Sequence, residues 1–289
     1  MDDAHGVVAE GIRDSFALTG SNLTVTTNGR NAHGIYVNNF QGGEETSIHV
    51  YNSEFILNDA TSALVYFGGV EKFNSVYLTN VTADFAGGNG NVMATAATGT
   101  GGSYLHIIES NLSGNIVASG SNTAGVMLYE NSTLTGMSTQ NGDGKVMVGI
   151  MDTATWNVTA TSTVDTLYSL GTLGVTLTGT GYTDPLVTVD TMLMLDPAST
   201  IMLIFDGGFV PGAGEYSFQL FNDGALTGDH LSLIDWSNLD ANWVISNKSF
   251  IDGVLKFEME VIPEPGTWTL MLGGVGVLGY LQRVRRRSH

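Results

Sequence analysis

Residues 105–112 read Leu-His-Ile-Ile-Glu-Ser-Asn-Leu, an alternating apolar stretch that passes through serine and asparagine to another apolar residue. A period of two directs every second side chain to one face of a β-strand. Serine and asparagine suit a tight corner, because their side chains hydrogen-bond to nearby backbone groups. The stretch therefore predicts a short strand, a corner and the start of a second strand.

The same pattern recurs along the first half of the chain. Related stretches begin at Ser21, Ile48, Val76, Val126 and, more loosely, Gly149. Their corners align at Ser21, Ser53, Val81, Ser110, Ser132 and Ala154, at intervals of 32, 28, 29, 22 and 22 residues. Weaker apolar stretches such as 34–37, 63–67 and 115–118 lie between them, which gives two to three strands per interval. Such a repeat is typical of a solenoid, because one coil buries its apolar side only by stacking on the next.

These repeats predict an all-β chain in which residues 1–177 form a parallel β-helix. Before residue 266 no segment keeps a helical apolar period, so almost no helix is expected there. A β-sandwich is the alternative, because it also combines short alternating strands with regular turns. The region resembles the right-handed β-helices of autotransporter passenger domains and adhesins of the pertactin type, and that resemblance implies a right-handed coil.

From Thr178 onward the strands become more apolar and richer in aromatic residues. The end of a solenoid exposes an apolar coil edge, which a terminal cap covers. Residues 178–262 are therefore predicted to form a β-rich cap whose last strand lies near Phe257, with a separate small β-sandwich as the alternative. The aromatic residues expected to cover the coil edge are Tyr216, Phe218, Phe221, Trp236 and Trp243.

The composition excludes several functional classes. The chain has 289 residues, no cysteine and a net charge of −18, and its first 262 residues carry 27 acidic and 6 basic side chains. Without cysteine there are no disulfides, no thiol catalysis and no cysteine-based zinc site. Binding to nucleic acid or to an anionic membrane requires clustered Lys and Arg, so no nucleic-acid partner is expected.

Residues 263–289 differ from the rest of the chain. Pro263, Glu264 and Pro265 interrupt regular structure, because each proline lacks a backbone donor and has a fixed φ. An apolar, glycine-containing run follows. The residues assigned to this membrane segment are Trp268, Leu270, Leu272, Gly273, Val275, Val277, Leu278 and Leu281. The residues assigned to a cytoplasmic stop are Arg283, Arg285, Arg286 and Arg287.

The apolar run predicts one short hydrophobic C-terminal transmembrane helix. As a helix it extends about 21 Å, which is less than a comfortable bilayer crossing. The arginines resist translocation, so the body is expected on the other side of the membrane from them. An amphipathic helix packed on the body and a permanent single-pass anchor are the alternatives.

The tail resembles a known bacterial signal, the PEP-CTERM sorting signal. The residues that carry the resemblance are Pro263, Glu264, Pro265, Trp268, Leu270, Leu272, Gly273 and the final arginines. The resemblance implies that an exosortase, a membrane-embedded cysteine transpeptidase, recognises the Pro-Glu-Pro motif and removes the hydrophobic tail. It also implies export from a Gram-negative-type bacterium through a transient inner-membrane stage. Residues 178–262 resemble the β-region that precedes this tail in autotransporter-like proteins.

Few residues suggest chemistry in the body. The six histidines lack metal-binding spacing, and His49 and His106 occupy matching places in alternating strands, where we expect them on the solvent face. No nucleophile-elbow motif occurs, so no catalytic residue, metal site or cofactor is predicted. A carbohydrate-active β-helix enzyme acting on exopolysaccharide is the alternative. It requires a groove in which three or more Asp, Glu, Lys or His side chains converge.

The sequence favours an exported bacterial cell-surface or extracellular-matrix protein with a structural or adhesive, non-catalytic body. The expected partners are an exosortase-like transpeptidase, transiently, the inner membrane through the C-terminal helix, and an exopolysaccharide or surface matrix. Export requires a secretory signal, and residues 1–6 have neither its basic nor its apolar part. We therefore expect an in-frame signal sequence upstream in the encoding locus.

Overall fold

A computed structural model describes residues 4–10, 16–38, 46–69, 73–86, 90–205, 209 and 211–262. The C-terminal hydrophobic helix predicted from Trp268 to Leu281 lies outside these residues. Within them the chain is all-β, as predicted, with one short 3-10 helix at Leu231–Leu233. The described part of the chain contains no helix that is long and apolar enough to cross a membrane.

The described residues form 25 strands. In chain order they are β1 (Val7–Glu10), β2 (Phe16–Ser21), β3 (Thr24–Thr27), β4 (Ile35–Asn38), β5 (Thr46–Leu57), β6 (Ala63–Gly68), β7 (Asn74–Phe85), β8 (Asn91–Thr95), β9 (Gly102–Ile108), β10 (Asn111–Ser113), β11 (Asn115–Gly120), β12 (Thr123–Tyr129), β13 (Thr133–Gly136), β14 (Ser138–Gly142), β15 (Lys145–Ile150), β16 (Thr155–Val158), β17 (Ser162–Ser169), β18 (Thr172–Leu177), β19 (Gly181–Tyr182), β20 (Val187–Leu195), β21 (Thr200–Phe205), β22 (Gly214–Gln219), β23 (Ile234–Asp235), β24 (Trp243–Ile251) and β25 (Val254–Val261).

Three long sheets contain parallel strands. The first sheet has the order β1-β4-β6-β8-β11-β14 and the third has the order β10-β13-β16-β18-β21-β23. The second has the order β2-β5-β7-β9-β12-β15-β17-β20, and β3 also pairs with β5. The chain visits the sheets in turn, as in β11, β12 and β13, and then returns to the first sheet with β14. The body is therefore a parallel β-helix and not the antiparallel β-sandwich that was the alternative.

Backbone pairing places equivalent residues of successive coils side by side. Ile48 pairs with Val76, 28 residues further on, and Val126 pairs with Val148, 22 residues further on. The column of the second sheet that contains these residues is buried between its two end members, Leu18 and Leu193. The buried members are Ile48, Val76, Leu105, Val126, Val148 and Leu167. Because neighbouring strands lie about 4.8 Å apart, each coil supplies the apolar contact that the next coil requires.

A residue in the left-handed conformation forms a recurring corner, which lies between β2 and β3, within β5 and β7, and between β9 and β10. Its φ is 55° at Asn22, 49° at Asn52, 52° at Asn80 and 48° at Glu109. Asparagine enters this conformation more readily than most residues, which explains its recurrence at the corner.

The predicted alignment of Ser21 with Ser53 is wrong by two residues. Ser21 precedes the left-handed residue of its corner, whereas Ser53 follows the left-handed residue of the next corner. The backbone therefore pairs Ser21 with Tyr51 and leaves Leu23 beside Ser53. The alignment of Ser53 with Val81 is confirmed by their pairing.

Buried serines connect the coils at this corner. The Ser110 hydroxyl accepts a hydrogen bond from the Val81 N–H at 2.9 Å and donates one to the Ile108 carbonyl at 2.8 Å. Ser132 repeats the arrangement in the next coil, because its hydroxyl accepts from the Ser110 N–H at 3.4 Å. These hydroxyls satisfy backbone groups that the bend removes from the strand ladder.

The parallel sheets continue beyond Leu177, the predicted end of the repeats. β20 pairs with β17, β21 pairs with β18, and β23 pairs with β21. Strands on both sides of Leu177 therefore share sheets. The division of the chain into a body and a cap at this residue stays a prediction.

A fourth sheet, the cap sheet, has the order β19-β22-β25-β24 and is antiparallel except between β19 and β22. The segment that follows β22 lies along part of the free edge of β20. Val187 N–H donates to the Leu220 carbonyl at 2.9 Å, and the Asn222 side chain bonds both backbone groups of Val189. The beginning of the β20 edge, from Val187 to Val189, is thereby paired, which shortens the open strand edge.

The structure shows where the aromatic residues predicted to cover the coil edge pack. Tyr216, Phe218 and Phe221 are buried. Trp236 packs edge-on against Phe257, and Trp243 packs edge-on against Phe205 at the end of β21.

Replacing Ser110 by Ala should lower the free energy of unfolding by about 1 to 3 kcal/mol, because the buried N–H of Val81 loses its acceptor. Equilibrium urea unfolding should show a lower midpoint with an unchanged slope. Ser113→Ala, at an exposed position of β10, is the control and should leave the midpoint unchanged. Equal midpoints for the two variants would contradict the bridging role of Ser110.

Candidate functional site

The predicted sorting motif, membrane segment and arginine stop all lie outside the described residues. The structure does describe the residues that immediately precede them, up to Ile262. The last described strand, β25, contains Phe257, near which the last strand was predicted, and ends at Val261. Ile262 is 51% exposed and donates its N–H to the Asn242 carbonyl at 2.8 Å. The chain therefore reaches the motif from the surface of the cap.

His49 and His106 lie on the outer face of the second sheet, as predicted. Tyr77 lies between them, with ring centroids 4.4 Å and 4.3 Å from those of the two histidines. The rings are parallel to within 8°, so each covers the face of the next. This His49–Tyr77–His106 ladder reinforces the stacking of coils, because parallel rings attract one another across adjacent strands.

A second ladder on the first sheet contains two histidines. His5 stacks on Tyr36 at 4.2 Å and His33 stacks on Tyr66 at 4.1 Å. The Nδ1 of His5 accepts the His33 N–H at 3.0 Å, and the Nδ1 of His33 accepts the Ala63 N–H at 2.9 Å. An Nδ1 that accepts a hydrogen bond carries no proton, so these bonds require neutral imidazoles.

The electrostatics of the ladders favour the neutral forms of His33 and His106. Burial, and then the neighbouring His5, lower the pKa of His33 to about 4. Burial, and then His49, lower the pKa of His106. No group of three or more His, Asp or Glu side chains in the described part of the chain is placed to hold a metal ion. The ladders are therefore assigned to stacking between successive coils.

A cleft of about 670 Å³ lies on the outer face of the cap sheet, and we call it the cap cleft. Its polar lining consists of carboxylates, one ammonium, one amide and hydroxyls, and the Tyr182 ring also lines it. The residues that provide the polar groups are Thr180, Thr183, Glu215, Ser217, Asn247, Ser249, Lys256 and Glu258. This arrangement can accept and donate several hydrogen bonds to one ligand.

Strand pairing brings the ionisable groups of the cap cleft together. Glu215 on β22 lies directly opposite Glu258 on the antiparallel strand β25. Opposite residues have Cβ atoms about 4.5 to 5.5 Å apart. Lys256 projects from the same face of β25 as Glu258, and it forms no ion pair within the described residues. An ammonium and two carboxylates therefore share one surface.

Asn247 orients one of these carboxylates. A register shift in β24 between Ser246 and Ser249 leaves Asn247 in a bulge with a φ of 49°. From there its Nδ2 donates to Glu258 Oε2 at 2.6 Å. Bulges commonly redirect a side chain in this way.

Tyr182 separates the cap cleft from a second cleft of about 350 Å³. We call the second one the threonine cleft, because its polar lining includes Thr159, Thr161, Thr176 and Thr178. The Tyr182 hydroxyl is buried and has no hydrogen-bond partner among the described residues, and burial raises its pKa. The Tyr182 ring packs edge-on against Phe218 at 5.1 Å.

The sequence did not predict the cap cleft. Glu215 is far from Lys256 and Glu258 along the chain, and the body's basic residues are scattered. One usable signal was the alternation in Lys256-Phe257-Glu258, which places two charged side chains on one face of a strand. The pairing of β22 with β25 adds Glu215, and that pairing exists only in the folded chain.

The free energy of unfolding should decrease as the pH is lowered through the interval in which the unfolded chain binds a proton at His33 and the folded chain does not. An unfolded imidazole binds its proton near pH 6.5, whereas folded His33 does so near pH 4. Stability should therefore be full above that interval and decrease through it, by up to about 3 kcal/mol. Melting temperatures at about pH 7.5 and pH 5 measure this loss.

His33→Gln should weaken this pH dependence, whereas the control variant His230→Gln should keep it. A pH dependence that is identical in the wild type and in His33→Gln would contradict the role of His33.

Comparison with known proteins identifies the tail. Residues 261–287 match the family model of the PEP-CTERM protein-sorting motif. No curated protein and no solved structure matches the chain significantly. The matched motif supports the prediction of an exported, cell-surface-directed protein that is processed by an exosortase-type membrane enzyme. The chain carries a PEP-CTERM protein-sorting motif after an all-β body.

Proposed function

We propose that the chain is an exported bacterial cell-surface or extracellular-matrix protein whose β-helical body has a structural or adhesive, non-catalytic role. The observation that carries this proposal is the PEP-CTERM protein-sorting motif at residues 261–287. It begins where β25, a strand of the cap sheet, ends.

The residues of the tail have separate roles in this proposal. An exosortase-like transpeptidase recognises Pro263, Glu264 and Pro265, where two prolines keep the backbone out of any strand ladder. The hydrophobic segment from Trp268 to Leu281 holds the chain in the inner membrane before cleavage. The arginines that follow stay on the cytoplasmic side.

Removal of the tail leaves a strongly acidic body at the cell surface or in the exopolysaccharide matrix of a Gram-negative-type bacterium. The first 262 residues carry 27 acidic and 6 basic side chains, so they repel anionic surfaces and remain soluble. Their parallel coils form a continuous hydrogen-bonded scaffold, and such scaffolds present an extended surface to partners. These properties support a structural or adhesive role.

A carbohydrate-active enzyme is the second candidate function. The convergence of Glu215, Lys256 and Glu258 in the cap cleft favours it. Glycoside hydrolases use two carboxyl groups, one of which is commonly kept protonated by an apolar enclosure. Glu215 is exposed on the outer face of the cap sheet, so we retain the non-catalytic role as the proposal.

Protein extracted from the surface of the native host should lack the residues after the processing motif. Mass spectrometry of its C-terminal peptides measures this. Replacing both Pro263 and Pro265 by Ala should leave the tail attached and the protein in the inner-membrane fraction. Pro197→Ala, in the exposed turn between β20 and β21, is the control and should be processed normally. Surface protein with Arg285, Arg286 and Arg287 intact would overturn the proposed cleavage.

A further inference from the structure

We propose that the cap cleft and the threonine cleft together bind a segment of an uncharged polysaccharide chain, with Tyr182 between two sugar-binding positions. This inference rests on the proposed adhesive role at the cell surface and assigns that role to one place on the molecule. It concerns binding and includes no covalent step.

The polar groups of the cap cleft fit a polyhydroxylated ligand. Sugar hydroxyls both donate and accept hydrogen bonds, and the cleft provides each kind of partner. Glu215 and Glu258 accept, Lys256 donates, and the hydroxyls and the amide do both. Lys256 forms no ion pair among the described residues, so its ammonium protons remain available to a ligand.

The charges of the site discriminate among polymers. Two carboxylates and one ammonium give the cap cleft a net negative charge, and the surrounding body is strongly acidic. A polyuronate or a sulfated chain would be repelled by this field, whereas an uncharged chain would not. The site therefore favours neutral sugars over the acidic polymers that also occur outside cells.

The pairing of Glu215 with Glu258 is unfavourable for the stability of the fold without a ligand. Like charges directly opposite each other on antiparallel strands are destabilising. The Asn247 amide holds Glu258 in one orientation at 2.6 Å, so the carboxylate is positioned before any ligand arrives. Preorganised polar groups on a rigid sheet are typical of binding sites.

Tyr182 gives a reason to expect a chain rather than a single sugar. Its side chain lines both clefts, whose volumes are about 670 and 350 Å³. Its buried hydroxyl lacks a hydrogen-bond partner among the described residues, and unsatisfied buried groups in native proteins are uncommon. A ligand that passes from one cleft to the other crosses the tyrosine and can supply that partner after a small side-chain movement.

The aromatic ladders are weaker candidates for the same ligand. In the His49–Tyr77–His106 ladder the rings cover one another at centroid distances of 4.4 and 4.3 Å. A sugar ring would have to separate them to reach an inner aromatic face. The geometry therefore points to the two clefts.

Affinity electrophoresis of the purified full chain tests this assignment. Native gels contain either the neutral or the acidic fraction of the host's extracellular polysaccharide, separated by anion exchange, and mobility is normalised to a gel without polymer. The neutral fraction should retard the wild type, and the acidic fraction should not. Lys256→Ala and Glu258→Gln should each weaken the apparent affinity by about tenfold, because each removes a charged hydrogen-bond partner.

Matched variants separate binding from folding. Glu260→Gln changes a carboxylate on the same strand outside the cleft, and Lys248→Ala removes an ammonium that lies over Trp236 at 4.3 Å. Both should bind the neutral fraction as the wild type does. Tyr182→Ala should also lose binding, and circular dichroism checks that it remains folded. The Lys256 and Glu258 variants test the inference without Tyr182→Ala, because both side chains lie on the outer face of the cap sheet.

Three results would overturn the inference: no retardation by the neutral fraction, retardation that the cleft variants do not change, or retardation by the acidic fraction alone. Release of reducing ends from the neutral fraction would have a different meaning. It would keep the cleft as a saccharide site and overturn the non-catalytic role, so failure of the inference and failure of the proposed function are distinguishable.

Discussion

In-register parallel pairing between successive coils is the constraint on which the rest of this structure depends. Each residue lies about 4.8 Å from its equivalent in the next coil. A residue type that packs well at one position therefore recurs at the equivalent positions along the stack. The apolar column through Ile48 and Val126 fills the interior in this way. The buried corner serines and the stacked His–Tyr rings of the outer faces follow the same repeat. A one-residue change of register would move each of these side chains to the opposite face of its sheet.

Repetition also creates the need for a cap. A stack of parallel strands ends in backbone groups without partners, and such edges pair with other chains unless they are covered. Here Leu220 and Asn222 bond the edge of β20, and β23 pairs with β21. The cap sheet has an edge of its own at β24, where the bulge at Asn247 interrupts the ladder. The bulge lies in the pairing of β24 with β25, and its Asn247 side chain also orients Glu258.

Polar groups converge into clefts where the regular repeat ends. Within the stack, hydrogen bonds such as that from the Val81 N–H to the Ser110 hydroxyl connect successive coils, and His33 is a neutral member of a ladder. In the cap, antiparallel pairing places residues from distant parts of the chain face to face, as with Glu215 and Glu258. Such pairs have no equivalent in the next coil. A repeating body thus provides length and stability, whereas the non-repeating cap provides a distinct surface.

The sequence by itself determined the fold class, the coil length and the sorting motif, because each depends on residues that are close together in the chain. These features are the apolar alternation, the recurring corners, and Pro-Glu-Pro followed by an apolar run and arginines. The same local reading misaligned Ser21, since the left-handed position and not the serine defines the corner. Only the tertiary structure decided how far the sheets continue past Leu177 and which charged residues meet in the cap cleft. Contacts between residues 43 positions apart, such as Glu215 and Glu258, depend on which strands pair, and strand pairing is a property of the whole folded chain.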